Sequence, residues 1–203
     1  ADKALYLAKE KGKNRHIIYE ERLHGKLESD DMQNMAMAYA VSKEKKREVI
    51  TKMITELCVS DVNSIVKKEE RLQQIRSLFD LDGITIYSES GAQLVCRNGN
   101  YMVEVPDGRG LFEDEKYLAL FGDDDNFIES NTLKLRSQDP AAFAVMQKQE
   151  IGASLQCLSR KEGVPNVIVN FDVFNRNRKW SDEDITLLTL LGHCIGDLLN
   201  YSE

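Results

Sequence analysis

The stretch from Asn166 to Leu199, NVIVNFDVFNRNRKWSDEDITLLTLLGHCIGDLL, changes its period midway, and that change decides the fold. Up to Phe174 the residues alternate. Val167, Val169, Phe171 and Val173 share one face of a strand, and Ile168, Asn170, Asp172 and Phe174 share the other. After a polar NRNRK segment, Ser181 stands three residues ahead of Asp184, the spacing of a capping box. The leucine-rich run that follows predicts a helix with two apolar seams. Leu187, Leu191, Cys194, Leu198 and Tyr201 form one, and Leu188, Ile195 and Leu199 the other. One seam covers the sheet, and the second calls for another partner.

Upstream, residues 151–159 read as a strand that separates Leu155 and Cys157 from Ser154 and Gln156, joined to the first strand by a Lys-Glu-Gly-Val-Pro turn. Asp139-Pro140 supplies an N-cap and a proline at the first helical position, which predicts a helix to about Glu150. NTLKLRS alternates and predicts a strand, while residues 99–130 read as irregular. The run Asp123–Asp125 lacks the ligand spacing of a calcium loop and reads as a solvated turn. GITIYSES and AQLVCRNG predict a hairpin turning at Ser90-Gly91. Between residues 30 and 79, apolar residues recur at spacings of three and four, fitting one long helix or two with part of the seam free for dimeric pairing. Residues 20–29 read as a linker.

Composition narrows the function. The formal net charge of −7 argues against nucleic-acid binding. No apolar run is long enough to cross a bilayer, and a cytoplasmic location is expected. Cys58, Cys96, Cys157 and Cys194 are far apart and read as reduced thiols. With three histidines and no CxxC spacing, no metal site is expected.

Two resemblances follow from these residues. The first stretch, ADKALYLAKEKGKNR, resembles the C-terminal signature of the GGDEF family, whose members make cyclic di-GMP from GTP. The resemblance implies that Lys9 and Lys13 reach a nucleotide triphosphate in an intact GGDEF domain. Lys13 departs from the family's arginine and loses bidentate reach. The GG[DE]EF loop is not in this sequence, so no residue here is expected to be catalytic. The second resemblance rests on the strand, Trp180, Ser181, Asp182, Asp184 and the leucine-rich helix: residues 62–202 resemble a GAF domain, with Asn166 where many members have glycine. It implies an α+β fold, an antiparallel sheet flanked by N- and C-terminal helices, with a ligand pocket between the sheet and the 99–150 excursion. Phe143, Ser154, Gln156, Asn170 and Asp172 are the candidate pocket residues.

The expected organisation is therefore a GGDEF remnant over 1–20, a linker and connector helix over 21–61, and a GAF-like sensor over 62–203. The expected role is regulation of cyclic di-GMP synthesis through dimer helix pairing on small-molecule binding; no cofactor is named. The alternatives are a ligand-free dimerisation scaffold, or an enzyme such as a methionine sulfoxide reductase with Cys96 and Cys157 close together. Two weaker family signals are a cyclic-nucleotide pattern in Asn175-Arg176, Trp180 and Asp182-Glu183, and a bilin anchor in His193-Cys194.

Overall fold

The computed structural model describes residues 29–59, 69–97 and 108–202. The chain divides into two units, 1–48 and 49–203, and the described part of the first, from residue 29, is helical. Lys9, Lys13 and the stretch that resembles the GGDEF signature lie outside the described residues, as does the expected break at Ser60–Ser64.

The helical region is two helices, α1 (Ser29–Val59) and α2 (Glu69–Leu78). Ile50, Met53 and Leu57 of α1, and Leu72 and Ile75 of α2, are almost fully buried in one core. The core thus takes in residues well upstream of 62. Arg71 holds Glu56 at 2.8 Å between the two helices.

A five-stranded antiparallel sheet follows, in the order β2-β1-β5-β4-β3, where β1 is Gly83–Ser88, β2 Gly91–Arg97, β3 Asn126–Glu129, β4 Ile151–Lys161 and β5 Val164–Phe174. The first hairpin turns at Glu89-Ser90, one residue earlier than the sequence suggested, and Gly91 opens β2 with φ +112°. The second turns at Glu162-Gly163, both at positive φ, the geometry that matches the right-handed twist of the flanking strands.

NTLKLRS is not a strand. It forms a short 3-10 turn (Thr132–Lys134) and the four-residue helix α4 (Leu135–Gln138), which follows α3 (Glu115–Leu118) in the chain. The Asn131 side chain accepts from Leu133 N and starts this turn. Thr132 and Leu135 are buried while Leu133 is exposed, a spacing of three rather than two. The strand expected there is supplied by Asn126–Glu129 instead, inside the region read as irregular.

Helix α5 (Pro140–Lys148) begins as predicted: Asp139 Oδ1 accepts from Ala141 N and Ala142 N at 3.0 and 3.1 Å. Helix α6 (Asp182–Ser202) starts at Ser181, whose Oγ accepts from Asp184 N at 3.1 Å, and the Asp184 carboxylate meets Arg178 at 2.9 Å.

The two faces of the sheet divide the molecule. Val167, Val169, Phe171, Val173, Leu155 and Cys157 join the core beneath α1, α2 and α6. Ile168, Phe174, Leu158 and Tyr87 join a second cluster with Phe127, Met146 and Ala142. Both strand faces thus follow the alternation read from the sequence. Ile151 lands on the second face because a bulge shifts the register before Ala153. Leu188 and Ile195 of one α6 seam are fully buried, together with Leu191 of the other; Leu187, Leu198 and Leu199 lie at the core's edge.

Candidate functional site

The second face of the sheet floors a cavity of about 280 Å³. Tyr87, Asn170 and Gln156 rise from β1, β5 and β4; α5 covers them with Ala142, Val145 and Met146; Gly108, Leu111, Asp114 and Tyr117 close one side. The register explains the floor. Thr85 pairs with Asn170, and Asn170 with Gln156, so three polar residues stand side by side on neighbouring strands. Asp114 caps α3 by accepting from Lys116 N and Tyr117 N, which fixes Tyr117 over the sheet. The backbone of Gly108, at φ +82°, lies so close to the Tyr87 ring that no side chain fits there.

A hydrogen-bond chain runs from the cavity wall into the sheet. Tyr117 Oη donates to Gln156 Oε1 at 2.5 Å, Gln156 Nε2 to Ser154 Oγ at 3.0 Å, and Ser154 Oγ to Asp172 Oδ1 at 2.6 Å. Burial pushes the Asp172 carboxyl up to about 6, against the Ser154 hydrogen bond and the Arg97 guanidinium, which both favour its ionised form. Burial and the Asp172 charge also raise the Tyr117 and Tyr87 phenols, which stay protonated at neutral pH. Arg97 donates to Gln149 Oε1 at 2.9 Å and lies 5.1 Å from the Phe174 ring centroid.

Of the candidate pocket residues, Gln156 and Asn170 line the cavity. Ser154 and Asp172 lie beneath it, buried, and connect to it through Gln156. Phe143 does not line it: α5 turns Ala142, Val145 and Met146 inward and leaves Phe143 half-buried against the second cluster. Sequence reasoning missed Tyr87, Asp114, Tyr117, Val145, Met146 and Gln149. Tyr87 was within reach, since alternation puts it on the strand face opposite Ile84 and Ile86. Tyr117 was not, because it sits in a segment whose short helix has no periodic signal.

The other sequence signals fall elsewhere. Trp180 is buried, donates from Nε1 to Glu129 O at 3.3 Å, and stacks under Arg178 at 4.3 Å, so it serves the start of α6 and not a nucleotide pocket. His193 and Cys194 ride on α6, across the sheet from the cavity, with His193 Nε2 3.0 Å from Asn126 Oδ1. Cys96 and Cys157 are buried on β2 and β4, with β1 and β5 between them, a separation of about 14 Å at ordinary strand spacing. Burial also raises the Cys157 thiol well above its usual range. The paired-thiol reading of these two cysteines is overturned. In the Asp123–Asp125 run, Asp124 accepts from Asn126 N at 3.4 Å and Asp125 pairs with Arg160 at 2.9 Å. Among the described residues no helix is long and apolar enough to cross a membrane.

No protein-family profile and no curated protein matches the chain. Solved structures do. A phycoerythrobilin-bound GAF domain from a cyanobacterial phytochrome superposes with a TM-score of 0.59 at 9% identity, over 80% of this chain and 97% of that one. The far-red-absorbing dark state of JSC1_58120g3, with bound biliverdin, gives 0.57 at 14% identity, over 76% of this chain and 98% of that one. The photosensory core module of Stigmatella aurantiaca phytochrome gives 0.60 at 15%, over 77% of this chain and 36% of its own. The chain thus has the α+β fold of GAF-like sensory domains.

Proposed function

We propose that the chain is a regulatory module that senses a small molecule in this cavity and tunes a GGDEF-type cyclase through the pairing of helices in a dimer. The observation that carries the ligand is the cavity of about 280 Å³, whose floor sets Asn170 and Gln156 of neighbouring strands beneath the apolar side chains of α5. A concave, mainly apolar space with a few polar groups on its floor is what a small-molecule site presents. Support for the cyclase comes from the resemblance of residues 1–15 alone. Support for helix-borne transmission comes from Ile50, Met53 and Leu57, which place the end of α1 in the core on the opposite face of the same sheet.

A bilin, as in the solved neighbours, is not the ligand we propose. None of the four cysteines lines the cavity, and 280 Å³ is small for a linear tetrapyrrole. Incubation with biliverdin is expected to leave the protein without a new visible absorption band.

Native mass spectrometry of the purified chain tests the reading. A dimer carrying an additional small mass is expected. A dimer without adduct favours a scaffold, and a clean monomer overturns the helix pairing. Reading the coding sequence upstream of Ala1 for a GG[DE]EF loop tests the cyclase.

A further inference from the structure

We infer that the cavity takes an uncharged molecule carrying an acceptor such as a carbonyl oxygen, which the N–H and O–H groups of Gln149, Asn170 and Tyr87 receive. This rests on the reading of the cavity as a ligand site and adds the chemistry of the ligand. Three observations carry it.

The first is the orientation of Gln149. This residue ends α5, is buried and lines the cavity. Arg97 of β2 holds its side chain, with Nη2 2.9 Å from Gln149 Oε1. A guanidinium only donates, so the amide atom it meets must be the oxygen. The amide nitrogen is the end left over, and it has no hydrogen-bond partner among the described residues.

The second is the direction of the other polar groups in the wall. Tyr117 gives its proton to Gln156 Oε1, and Gln156 Nε2 donates to Ser154, so these two side chains are already turned to one another and to the sheet. Asn170 is different. Its Oδ1 is sealed away, so its amide meets the cavity with the Nδ2 end, which also has no partner among the described residues. Tyr87 adds a hydroxyl that burial keeps protonated at neutral pH. The groups left for a ligand thus carry protons to give.

The third is charge. Among the described residues that line the cavity there is no lysine, arginine or histidine, whereas Asp114 stands in the wall. Arg97 is behind Gln149 and engaged with it. An anion brought here would be desolvated beside a carboxylate with no cation in the wall to face it, which is costly. A neutral carbonyl meets the same donors without that cost.

Tetralone is a suitable probe: neutral, mainly apolar, with one carbonyl acceptor, no donor, and small enough for about 280 Å³. Tetralin keeps the ring frame without the acceptor, and a tetralone carboxylate adds the anion. Coumarin and naphthalene form a second matched pair. Calorimetric titration of the full chain, after any co-purified molecule is removed, is expected to rank tetralone and coumarin at least about tenfold above their hydrocarbon partners, because the hydrocarbons bury the Gln149 and Asn170 N–H groups unpaired. A cavity that recognised apolar surface alone would reverse the order, since the hydrocarbon is the more hydrophobic member of each pair. The tetralone carboxylate is expected to bind more weakly than tetralone. Gln149→Glu keeps an oxygen for Arg97 and removes the amide N–H; it is expected to weaken tetralone about tenfold and tetralin less. Tyr87→Phe removes only the hydroxyl and is expected to act in the same direction, with the melting curves of both variants checked against the parent. Equal or tighter binding of the hydrocarbons, tighter binding of the carboxylate, or tetralone affinity unchanged in both variants overturns the inference while leaving a ligand site in place. Failure of every probe together with no co-purified mass overturns the ligand-site reading itself.

Discussion

Asp172 shows what a single residue contributes. It is fully buried on the cavity face, hydrogen-bonded to Ser154, and its carboxyl is raised to about 6 by burial. The unfolded chain returns it to an ordinary carboxylate near 4. Between about pH 4 and 6 the folded state therefore holds more proton than the unfolded one. Stability from this group is fully present below about pH 4 and is lost as pH rises through 6. Asp172→Asn keeps an oxygen for the Ser154 proton and removes the charge. It is expected to raise the stability at pH 7 to 8 by at most about 2 kcal/mol, seen as a higher melting temperature, with the gain shrinking toward pH 4, as read from thermal melts across that range. A uniform gain at all pH values would mean that titration is not its source.

At the scale of elements, the seat of α6 on the sheet depends on two glycines one turn apart. A Cβ on Gly192 would lie 2.5 Å from Cys157 Sγ and 2.8 Å from its Cβ; one on Gly196 would lie 2.7 Å from Ser159 Cβ. The helix can approach β4 this closely because neither residue carries a side chain. Alanine would improve helix propensity by about 1 kcal/mol. The overpacking against neighbouring Cβ atoms exceeds that gain, so Gly192→Ala and Gly196→Ala are each expected to destabilise by about 1–3 kcal/mol in urea unfolding. A stabilised Gly192→Ala would show that the helix can shift outward freely. Leucines at the expected spacing were legible in the sequence; that the face between them must be bare was not, because a glycine's role depends on what approaches it.

Across the whole domain, Arg178 ties the start of α6 to the end of α2. Its Nη1 donates to Phe79 O at 2.5 Å and Asp80 O at 3.0 Å, its Nη2 to Asp184 Oδ2 at 2.9 Å, and its guanidinium stacks on Trp180. Both members of the Arg178–Asp184 pair are largely buried, so removing one strands the other. Arg178→Met is expected to cost about 3–5 kcal/mol. Arg178→Lys restores the charge without the planar fork and is expected to recover only part of this, because a lysine cannot serve both carbonyls and the carboxylate from one plane. Chemical denaturation of the two variants, compared with the double variant Arg178→Met with Asp184→Leu, checks it. The double variant should recover much of the loss if the stranded carboxylate is the cause.

The sequence by itself determined the strand faces of β4 and β5, the caps at Asp139 and Ser181, the amphipathic terminal helix and hence the GAF-like class of fold. Each of these is written in a local period or in a side chain reaching backbone a few residues away. It also placed Gln156 and Asn170 on the face that floors the cavity. Tertiary structure alone decided the rest. Asn131 to Ser137 became turn and helix, because the edge of β4 was taken by Asn126–Glu129. Phe143 was turned out of the cavity by the rotation of α5. Tyr87, Tyr117 and Gln156 met across about seventy residues of chain only because the sheet register and the Asp114 cap brought them together. A period records which way a residue faces, whereas the distance between two elements is set by packing, and it is that distance that makes a wall into a site.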